Sequence, residues 1–558
     1  MGTCLLKIRR LGLSLGMLTI ALGHGGSIAK AATFHPVVLS GESTPDAGED
    51  IRFTSFSSPA INRHGQVAFR ANILGPGVPH SYRTGLYAGG TGSLRPLMRA
   101  GAPLGDGLVA EGFGIVTIDD SNRAHFAAAV LPEGETRFQS AWFTETHSGP
   151  ELALEPGGVA LVEGEPVKLH LVSNHLVARN GDVYFKTLLQ QPIDGSPLLG
   201  AVLRLRDGVL DVVSREGDAI HGAPTPSIYR SGIPFVLPLG NRLGDYAVIQ
   251  KVTRLSDGRN GDGLMVHRDG ETRLLYDTLH HWEESPFENG RFGDILKLGF
   301  NDAGTIVFNS NEGIYQKEEG PLRQVVRIRD QAPGSPEGVV FVNTFETWLS
   351  GRGDVVFEAR LGGPGVTSSS DEGLYVYRNA EVKEIARLGG AAPGASPEQV
   401  FRTLDPPLMN ARGQILFSGY LTGSGISASN DRGLWMLGPE GDRDLLLREG
   451  DWIDIDPSLI GTDLRQVAHF FLHSTRDGTG GEDARLRSLN DAGQLAFSAQ
   501  FTDGSWGVFV AETITAVPAP GTFAGLGVGF LFITHSRRRA LDRLLSSRTK
   551  QTVRKLAA

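Results

Sequence analysis

The residues whose types and spacing best suit chemistry lie in short polar segments between apolar runs. In residues 257–263, the oxygen-bearing side chains of Asp257, Asn260 and Asp262 are interspersed with glycines. Oxygen ligands in a glycine-rich loop are typical of calcium sites, although the terminal glutamate of an EF-hand is missing here. The segment therefore predicts either a calcium loop or an ordinary turn between two strands.

Histidine and tryptophan residues mark two further candidate binding segments. His280, His281 and Trp282 stand together before two glutamates. They predict a metal or sugar contact on a loop or, alternatively, a solvated turn with one aromatic ring packed inward. Trp452 follows an Arg-Glu-Gly-Asp tetrad and is a candidate platform for a sugar ring. The same tetrad occurs at residues 215–218, and this recurrence favours a turn with an ion pair over catalysis.

Other signatures of catalysis are missing. Beyond the N-terminal 32 residues there is no Gly-x-Ser-x-Gly nucleophile turn, and the chain has no His-Glu-x-x-His zinc helix and no P-loop. The single cysteine, Cys4, excludes a disulfide framework and a cysteine-based zinc site. The paired carboxylates of glycoside-cleaving enzymes converge in space without fixed spacing, so the sequence leaves that chemistry open. No cofactor is expected apart from the calcium ion that residues 257–263 could hold.

A tandem repeat organises the middle of the chain. Its marker is Asn-x-x-Gly followed by an apolar run that ends in Phe. The clear copies stand at residues 62–69, 301–308, 410–417 and 490–497. Weaker copies stand at residues 121–128, 178–185, 241–248 and 350–357. Eight copies at a mean spacing of about sixty residues indicate a repeat architecture.

The local chemistry of each repeat predicts four short β-strands. Asn favours the start of a turn because its side chain bonds the nearby backbone, and Gly three residues later supplies the positive φ that closes a hairpin. A strand follows this turn, a second strand opens on glycine, and two more lead to the next marker. The strands before the first marker and after the last one complete eight sets of four. The sequence does not show which strand begins a set.

These strands predict an all-β fold over residues 33–513. A β-propeller of eight four-stranded blades fits best, because radial repetition protects the edges of small sheets. Seven blades with one degenerate repeat is the alternative. A linear β-solenoid fits less well, since its rungs are shorter and more uniform.

The two ends of the chain predict targeting signals rather than parts of the folded domain. Lys7, Arg9 and Arg10 precede an apolar run and a small-residue Ala-Lys-Ala site, which is the order of a secretory signal helix over residues 1–32. Residues 514–539 predict a sorting or anchor segment with a short transmembrane helix, followed by a basic cytoplasmic tail over 540–558. Its defining residues are Val517, Pro518, Pro520, Arg537, Arg538 and Arg539.

Two resemblances add to this interpretation. The C-terminal segment resembles the PEP-CTERM sorting signal, in which a Val-Pro-x-Pro motif, a short transmembrane helix and a basic cluster direct export and processing by an exosortase-type enzyme. It departs from that pattern at Ala519, where glutamate is commonest, and in the length of the tail after Arg539. A plain membrane anchor is the alternative. The repeats resemble the NxxGxxAF tandem-repeat proteins, bacterial surface proteins with interchangeable C-terminal anchors, and residues 62–69 and 490–497 match that pattern at every position.

The resemblance implies a protein exported to the cell surface, but it implies no activity and no catalytic residue. Both ends are basic, so the segment between them is more acidic than the whole chain, whose formal net charge is −9. An acidic exterior argues against a nucleic-acid partner. We expect a non-catalytic repeat protein, anchored through the C-terminal helix, that binds extracellular polysaccharide or protein in a matrix. The alternatives are a polysaccharide hydrolase or lyase with its site at the propeller channel, and a structural coat protein.

Overall fold

The computed structural model shows an all-β chain. It describes residues 32–45, 50–105, 108–131, 138–155, 158–190, 198–230, 238–456, 463–473 and 487–513. Within these ranges 38 strands form eight sheets, and the helical content is one 3-10 turn, His80–Tyr82. Among the same residues, no helix is long and apolar enough to cross a bilayer.

The first strand, β1 (Ala32–Leu39), belongs to the last sheet, and the next twenty strands form sheets 1 to 4. Sheet 1 contains β2 (Arg52–Phe56), β3 (Ala60–Ile61), β4 (Val67–Leu74), β5 (Thr84–Gly89) and β6 (Arg95–Arg99). Sheet 2 contains β7 (Pro103–Gly105), β8 (Leu108–Ile118), β9 (Ala124–Val130), β10 (Gln139–Thr146) and β11 (Gly149–Leu154). Sheet 3 contains β12 (Val159–Val162), β13 (Glu165–Val177), β14 (Val183–Gln190), β15 (Leu199–Arg206) and β16 (Val209–Arg215). Sheet 4 contains β17 (Ser227–Tyr229), β18 (Leu239–Gly240), β19 (Tyr246–Arg254), β20 (Asn260–Arg268) and β21 (Glu271–Asp277).

The remaining strands form sheets 5 to 8. Sheet 5 contains β22 (Lys297–Phe300), β23 (Ile306–Ser310), β24 (Gly313–Lys317) and β25 (Arg323–Arg327). Sheet 6 contains β26 (Val340–Leu349), β27 (Val355–Gly362), β28 (Glu372–Arg378) and β29 (Glu381–Arg387). Sheet 7 contains β30 (Val400–Leu404), β31 (Leu408–Met409), β32 (Ile415–Thr422), β33 (Arg432–Leu437) and β34 (Arg443–Arg448). Sheet 8 contains β35 (Trp452–Asp454), β36 (Leu464–Phe471), β37 (Gln494–Phe501), β38 (Trp506–Thr513) and β1.

The sheets repeat one antiparallel pattern, and sheet 3 in addition closes into a small barrel through the parallel pair Val162↔Leu210 of β12 and β16. In sheet 6, β26 runs into the repeat's marker turn, β27 leaves it, and β28 and β29 follow outward in chain order. The pairs Leu349↔Val355 and Val355↔Tyr377 fix the register next to that turn. In sheets 1, 4 and 7 the strand before the turn is broken, and a two-residue piece (β3, β18 or β31) completes it.

The sheets pack face to face in a closed ring. Each of eight buried apolar clusters joins one sheet to the next along the chain. The cluster that closes the ring combines Val38 and Val508 of sheet 8 with Phe53 and Phe69 of sheet 1. A ring of small sheets, each covering the apolar face of its neighbour, is a β-propeller. The predicted all-β propeller architecture is confirmed.

Strand β1 completes sheet 8. It pairs with β38 from Ala32↔Thr513 to Leu39↔Gly507, so the two ends of the described chain lie side by side. Ala32, which closes the predicted signal segment, is already the first residue of this strand. Residues 1–31 and the predicted sorting residues Val517, Pro518, Pro520 and Arg537–Arg539 lie outside the described residues.

The marker turns touch one another around the ring. In each clear copy the Asn side chain is buried; its Oδ1 accepts backbone N–H groups of its own turn, as Asn490 does from Ala492 (3.0 Å) and Gln494 (2.9 Å). Its Nδ2 donates to the backbone carbonyl of the next turn, as Asn490 does to Asn62 (2.9 Å). The same link runs from Asn62 to Asp119 (2.9 Å), from Asn301 to Ser350 (2.9 Å) and from Asn410 to Asn490 (2.9 Å).

The predicted alignment of the repeat at 121–128 is wrong by two residues. The structure places the turn at 119–122, where Asp119 Oδ1 accepts the N–H groups of Ser121 (2.8 Å) and Arg123 (2.9 Å). Asn122 takes the position of glycine, with φ of 65°. Asp and Asn supply the same chemistry as the usual pair, because both accept local N–H bonds and Asn tolerates positive φ.

Candidate functional site

The centre of the ring holds an ion-pair cluster. Arg242 of sheet 4 contacts Asp120 of sheet 2 (3.4 Å), Asp302 of sheet 5 (2.9 Å) and Asp491 of sheet 8 (2.6 Å). Sheets 4 and 8 are not neighbours, so the bond between Arg242 and Asp491 joins distant parts of the ring. Arg487, beside the marker turn of sheet 8, contacts Asp120 at 3.2 Å. We call these residues, with Arg179, the central ion-pair cluster.

The cluster is largely buried, and its charges influence one another. The side chains of Arg179 and Arg487 are 2% and 7% exposed. Burial and the nearby guanidinium of Arg179 lower the pKa of Arg487 to about 9. Burial alone would raise the pKa of Asp491, but Arg179 and Arg487 outweigh it and hold that pKa well below its usual range. Since its charges satisfy one another, the cluster closes the middle of the ring at the marker turns rather than offering a binding site.

A cavity of about 640 Å³ lies nearby, between sheets 6, 7 and 8. Its walls come from the first, second and third strands of these sheets and from the segments beside the first strands. The lining residues that matter chemically are Glu346, Glu358, Glu372, Asp405, Ser418, Arg432, Phe471 and His473. A volume of this size holds a small-molecule ligand or a few units of a polymer.

Arg432 is the fixed cation of the cavity. Its Nη2 contacts Asp405 Oδ2 at 3.1 Å, and its Nη1 donates to the carbonyl of Phe470 at 2.9 Å. Its guanidinium lies 4.6 Å from the centre of the Phe470 ring and 5.5 Å from that of Tyr420. Cation–π and charge-assisted contacts of this kind hold a guanidinium in one orientation.

The remaining charges of the cavity are mostly negative. Glu358 and Glu372 project from one face of sheet 6, because Glu372 pairs with the residue two positions after Glu358. Glu346 forms an ion pair with Lys297 of sheet 5. Burial lowers the pKa of His473 to about 4, so this ring is uncharged at neutral pH. The cavity therefore offers carboxylate acceptors and one guanidinium, a set that suits hydroxyl-rich uncharged ligands better than polyanions.

An aromatic pair flanks the cavity. The Phe471 ring, 36% exposed, stacks on Trp506 with centroids 5.4 Å apart and planes 14° apart. Exposed stacked aromatic rings give a flat apolar surface beside polar groups. These two residues come from separate strands and share no local spacing, so the sequence alone does not mark them as a site.

The candidate calcium residues lie where β19 and β20 join, and each is held by a neighbouring side chain. The contacts are Arg254 Nε to Asp257 Oδ1 (3.0 Å), Arg259 Nε to Asp257 Oδ2 (3.5 Å), Thr253 Oγ1 to Asn260 Oδ1 (2.7 Å) and Lys251 Nζ to Asp262 Oδ1 (2.5 Å). Within the described ranges, no group of three or more His, Cys, Asp or Glu side chains is arranged to hold a metal ion.

Calcium is expected to leave the melting temperature of the protein unchanged. Arg254 and Arg259 already neutralise Asp257, and a metal ion would have to displace them. Adding about 1 mM calcium in place of EGTA should shift Tm by less than about 1 °C, because only a ligand that binds the native state raises it. Differential scanning calorimetry measures this, and a rise of several degrees would restore the calcium interpretation.

His280 is part of a buried hydrogen-bond network rather than an open contact. Its Nδ1 lies 2.6 Å from Asp277 Oδ2, and its Nε2 lies 2.6 Å from Thr225 Oγ1. Trp282 Nε1 donates to the Asp277 carbonyl at 3.2 Å, and its ring packs edge-on against Tyr276. Together these contacts stabilise the segment that follows β21. His281 is exposed at the surface next to it.

Trp452 begins β35 and is half-buried; it does not line the cavity. The tetrad before it forms a turn, in which Asp451 Oδ2 accepts the Arg448 N–H (2.8 Å). In the matching tetrad, Arg215 Nε contacts Asp218 Oδ1 at 3.2 Å. Both tetrads therefore form turns, and in residues 215–218 the turn contains the predicted ion pair.

Comparisons with known proteins identify a family. A family model described as "Family of unknown function (DUF7453)" matches residues 37–278 and 283–524. Comparison with curated proteins finds no significant match. Similar solved structures include the β-propeller domain of the Trilobed protease from Pyrococcus furiosus (12% identity, 72% of this chain, 99% of that one, TM-score 0.33) and the WD40 domain of SCAP from fission yeast (10%, 86%, 97%, 0.32). The Dos1 propeller is 8% identical over 85% of this chain and 94% of that one, with a TM-score of 0.35.

Proposed function

This chain belongs to the DUF7453 family, whose function is unknown, and we propose that it is an exported, surface-anchored protein that binds extracellular polysaccharide. The single observation that carries the proposal is the cavity between sheets 6, 7 and 8. It combines carboxylate acceptors, the fixed guanidinium of Arg432 and the stacked ring of Phe471. Sugar hydroxyls pair with the charged groups, and the C–H face of a pyranose packs on an aromatic ring.

The proposal takes the eight sheets as eight blades. Each of the two family matches spans four of them, sheets 1 to 4 and sheets 5 to 8, which supports two tandem sets of four. The proposal also includes the targeting signals predicted at the two ends of the chain. Residues 1–31 would direct export, and the sorting residues Val517, Pro518, Pro520 and Arg537–Arg539 would hold the chain at the surface until an exosortase-type enzyme processes it.

Binding is tested by calorimetric titration with uncharged hexasaccharides, namely cellohexaose, laminarihexaose and chitohexaose, and with an alginate oligomer as the polyanion. We expect at least one uncharged oligomer to bind and alginate to fail, since carboxylates dominate the cavity. Selective binding of alginate would contradict the proposal.

Removing the cavity's cation should weaken this binding. We expect Arg432→Ala to raise Kd by about tenfold or more, a loss of about 1.4 kcal/mol, because a buried donor to the sugar disappears. Arg402→Ala is the matched control. Arg402 also lies over the Tyr420 ring, at 5.7 Å, and is 56% exposed in its ion pair with Asp431, but it does not line the cavity. Glu358→Gln, which keeps the side-chain shape, should weaken binding without unfolding the protein.

A second candidate function, cleavage of the bound polysaccharide, is favoured by one observation. Glu358 and Glu372 stand on the same face of sheet 6 inside the cavity, and a carboxylate pair is what glycoside hydrolases use. Release of reducing ends or of unsaturated products from the bound oligomer would establish this function. Binding with no product favours the non-catalytic proposal.

A further inference from the structure

The molecule has two unlike faces. Within each sheet, the second strand begins at the marker turn and runs to the opposite side, as β27 does from Val355 to Gly362. We call the side with the marker turns the motif face. We call the opposite side, where the second strand connects to the third, the loop face.

The motif face is closed at its centre. The central ion-pair cluster is carried by the marker turns and by the residues beside them, and its bonds join sheets 4 and 8 and sheets 2 and 8. Arg179 and Arg487 are almost completely buried there. The cluster therefore fills the space between these marker turns.

The cavity extends towards the loop face. Glu372 and Arg432 are the first residues of the third strands β28 and β33, so both stand at the loop-face end of their sheets. Glu358 and Ser418 lie near the middle of the second strands. Leu408 and Leu416 pair beside the marker turn of sheet 7 and also line the cavity, so the lining runs through the depth of the sheet and reaches the loop face at Glu372 and Arg432.

Two loops of similar sequence lie beside the loop-face end of the cavity. Residues 363–371 of sheet 6 and 423–431 of sheet 7 share a Gly-x-Gly start and exposed hydroxyl pairs. Thr367 Oγ1 lies 2.9 Å from Ser369 Oγ, and Ser427 Oγ lies 3.0 Å from Ser429 Oγ. The acid that ends each loop is neutralised, since Asp371 contacts Arg360 at 3.4 Å and Asp431 contacts Arg402 at 3.0 Å.

The chain enters and leaves the described structure at the motif face. Strand β38 leaves the loop face at Trp506 and ends at Thr513, opposite Ala32, on the side of the marker turns. Both ends of the described chain therefore lie on the side opposite the two loops.

We propose that the loop face of sheets 6 and 7 is the interaction surface, and that an uncharged polysaccharide chain reaches the cavity from this face. The inference deepens the proposed function and rests on it. Two adjacent loops that present the same hydroxyl pairs without net charge fit a ligand that is itself a repeat of hydroxyl-bearing units.

The test places a bulky group on either face of the full chain. The single native cysteine, Cys4, is replaced in Cys4→Ser, and one cysteine is added at an exposed site, by Ser424→Cys on the loop face or Ala492→Cys on the motif face. Each is coupled to biotin-maleimide and streptavidin. Access to the cavity is then measured as carbodiimide-driven amidation of Glu358 and Glu372 by glycine ethyl ester, read by peptide mass spectrometry, and as binding of the three uncharged hexasaccharides.

We expect streptavidin on the loop face to lower amidation of both glutamates by about tenfold, since it covers the opening of the cavity, and to abolish hexasaccharide binding. Streptavidin on the motif face should leave both readouts unchanged. Loss of amidation from the motif-face derivative, equal amidation in both, or none in the unconjugated protein would overturn the inference. If no hexasaccharide binds any form while amidation is one-sided, the proposed ligand class fails and one-sided access stands.

Discussion

A chain that starts at Ser40 instead of Ala32 should fail to reach the native fold at room temperature or unfold at far lower urea. It lacks β1, which supplies the outer strand of sheet 8 and the buried side chains of Phe34, Val37 and Val38. Without β1, β38 becomes an unpaired edge strand, and two apolar clusters lose the side chains that β1 contributes to them. Phe34→Ala is the milder form, and removing this ring should cost roughly 3–5 kcal/mol.

Urea denaturation followed by far-UV circular dichroism measures both changes. Thr33→Ala is the matched control, because Thr33 is exposed on the same strand and its truncation should cost less than about 0.5 kcal/mol. Equal urea midpoints for chains starting at Ala32 and at Ser40 would show that β1 does not close the ring.

The second large effect is expected at the central ion-pair cluster. Asp491 accepts from Arg179 Nη2 at 3.1 Å, from Arg242 Nη2 at 2.6 Å and from the Ala411 N–H at 2.9 Å. Asp491→Asn removes the charge that balances the buried guanidinium of Arg179 and the partly exposed one of Arg242. Breaking a buried pair in this way costs about 3–5 kcal/mol. The free energy of unfolding at pH 7 should fall by that amount.

The same variant should also change the pH dependence of stability. The pKa of Asp491 is lower in the folded chain than in the unfolded chain, where it is about 3.9. Its contribution is therefore complete above that value and is lost as the pH falls through the folded pKa. The stability gap between the native protein and Asp491→Asn should be largest near neutral pH and shrink on acidification to about pH 3, well below the pKa of an unfolded Asp.

Glu271→Gln is the control for this prediction. Glu271 pairs with Arg273 at the surface, where the two side chains are 47% and 69% exposed, so its removal should cost little at any pH. A cost for Asp491→Asn as small as that of Glu271→Gln would mean that the central cluster does not hold the ring together.

Much of the fold follows from local chemistry in the sequence. The Asn-x-x-Gly turn repeats, and each Asn does what its type predicts by accepting the N–H groups of its own turn. Its second task, donating to the next repeat, needs the ring and is invisible in one repeat. The phase of the strands is invisible for a similar reason, since antiparallel neighbours look alike in sequence until packing shows which strand faces the axis.

The candidate site was beyond sequence reasoning for a physical reason. Glu358, Arg432 and Phe471 belong to three repeats, and only the closed ring places them around one cavity. By contrast, Asp257 stands out as a local pattern, but the arginines beside it neutralise its carboxylate. Local spacing identifies turns well and identifies sites poorly when a site is built between repeats.

The most direct measurement is a crystal structure of the protein with the best-binding uncharged hexasaccharide. We predict sugar density between sheets 6, 7 and 8, within hydrogen-bond distance of Arg432, against the Phe471 ring, and extending to the loop face. Density on another surface, or an oligomer bound at the side of the marker turns, would contradict the account.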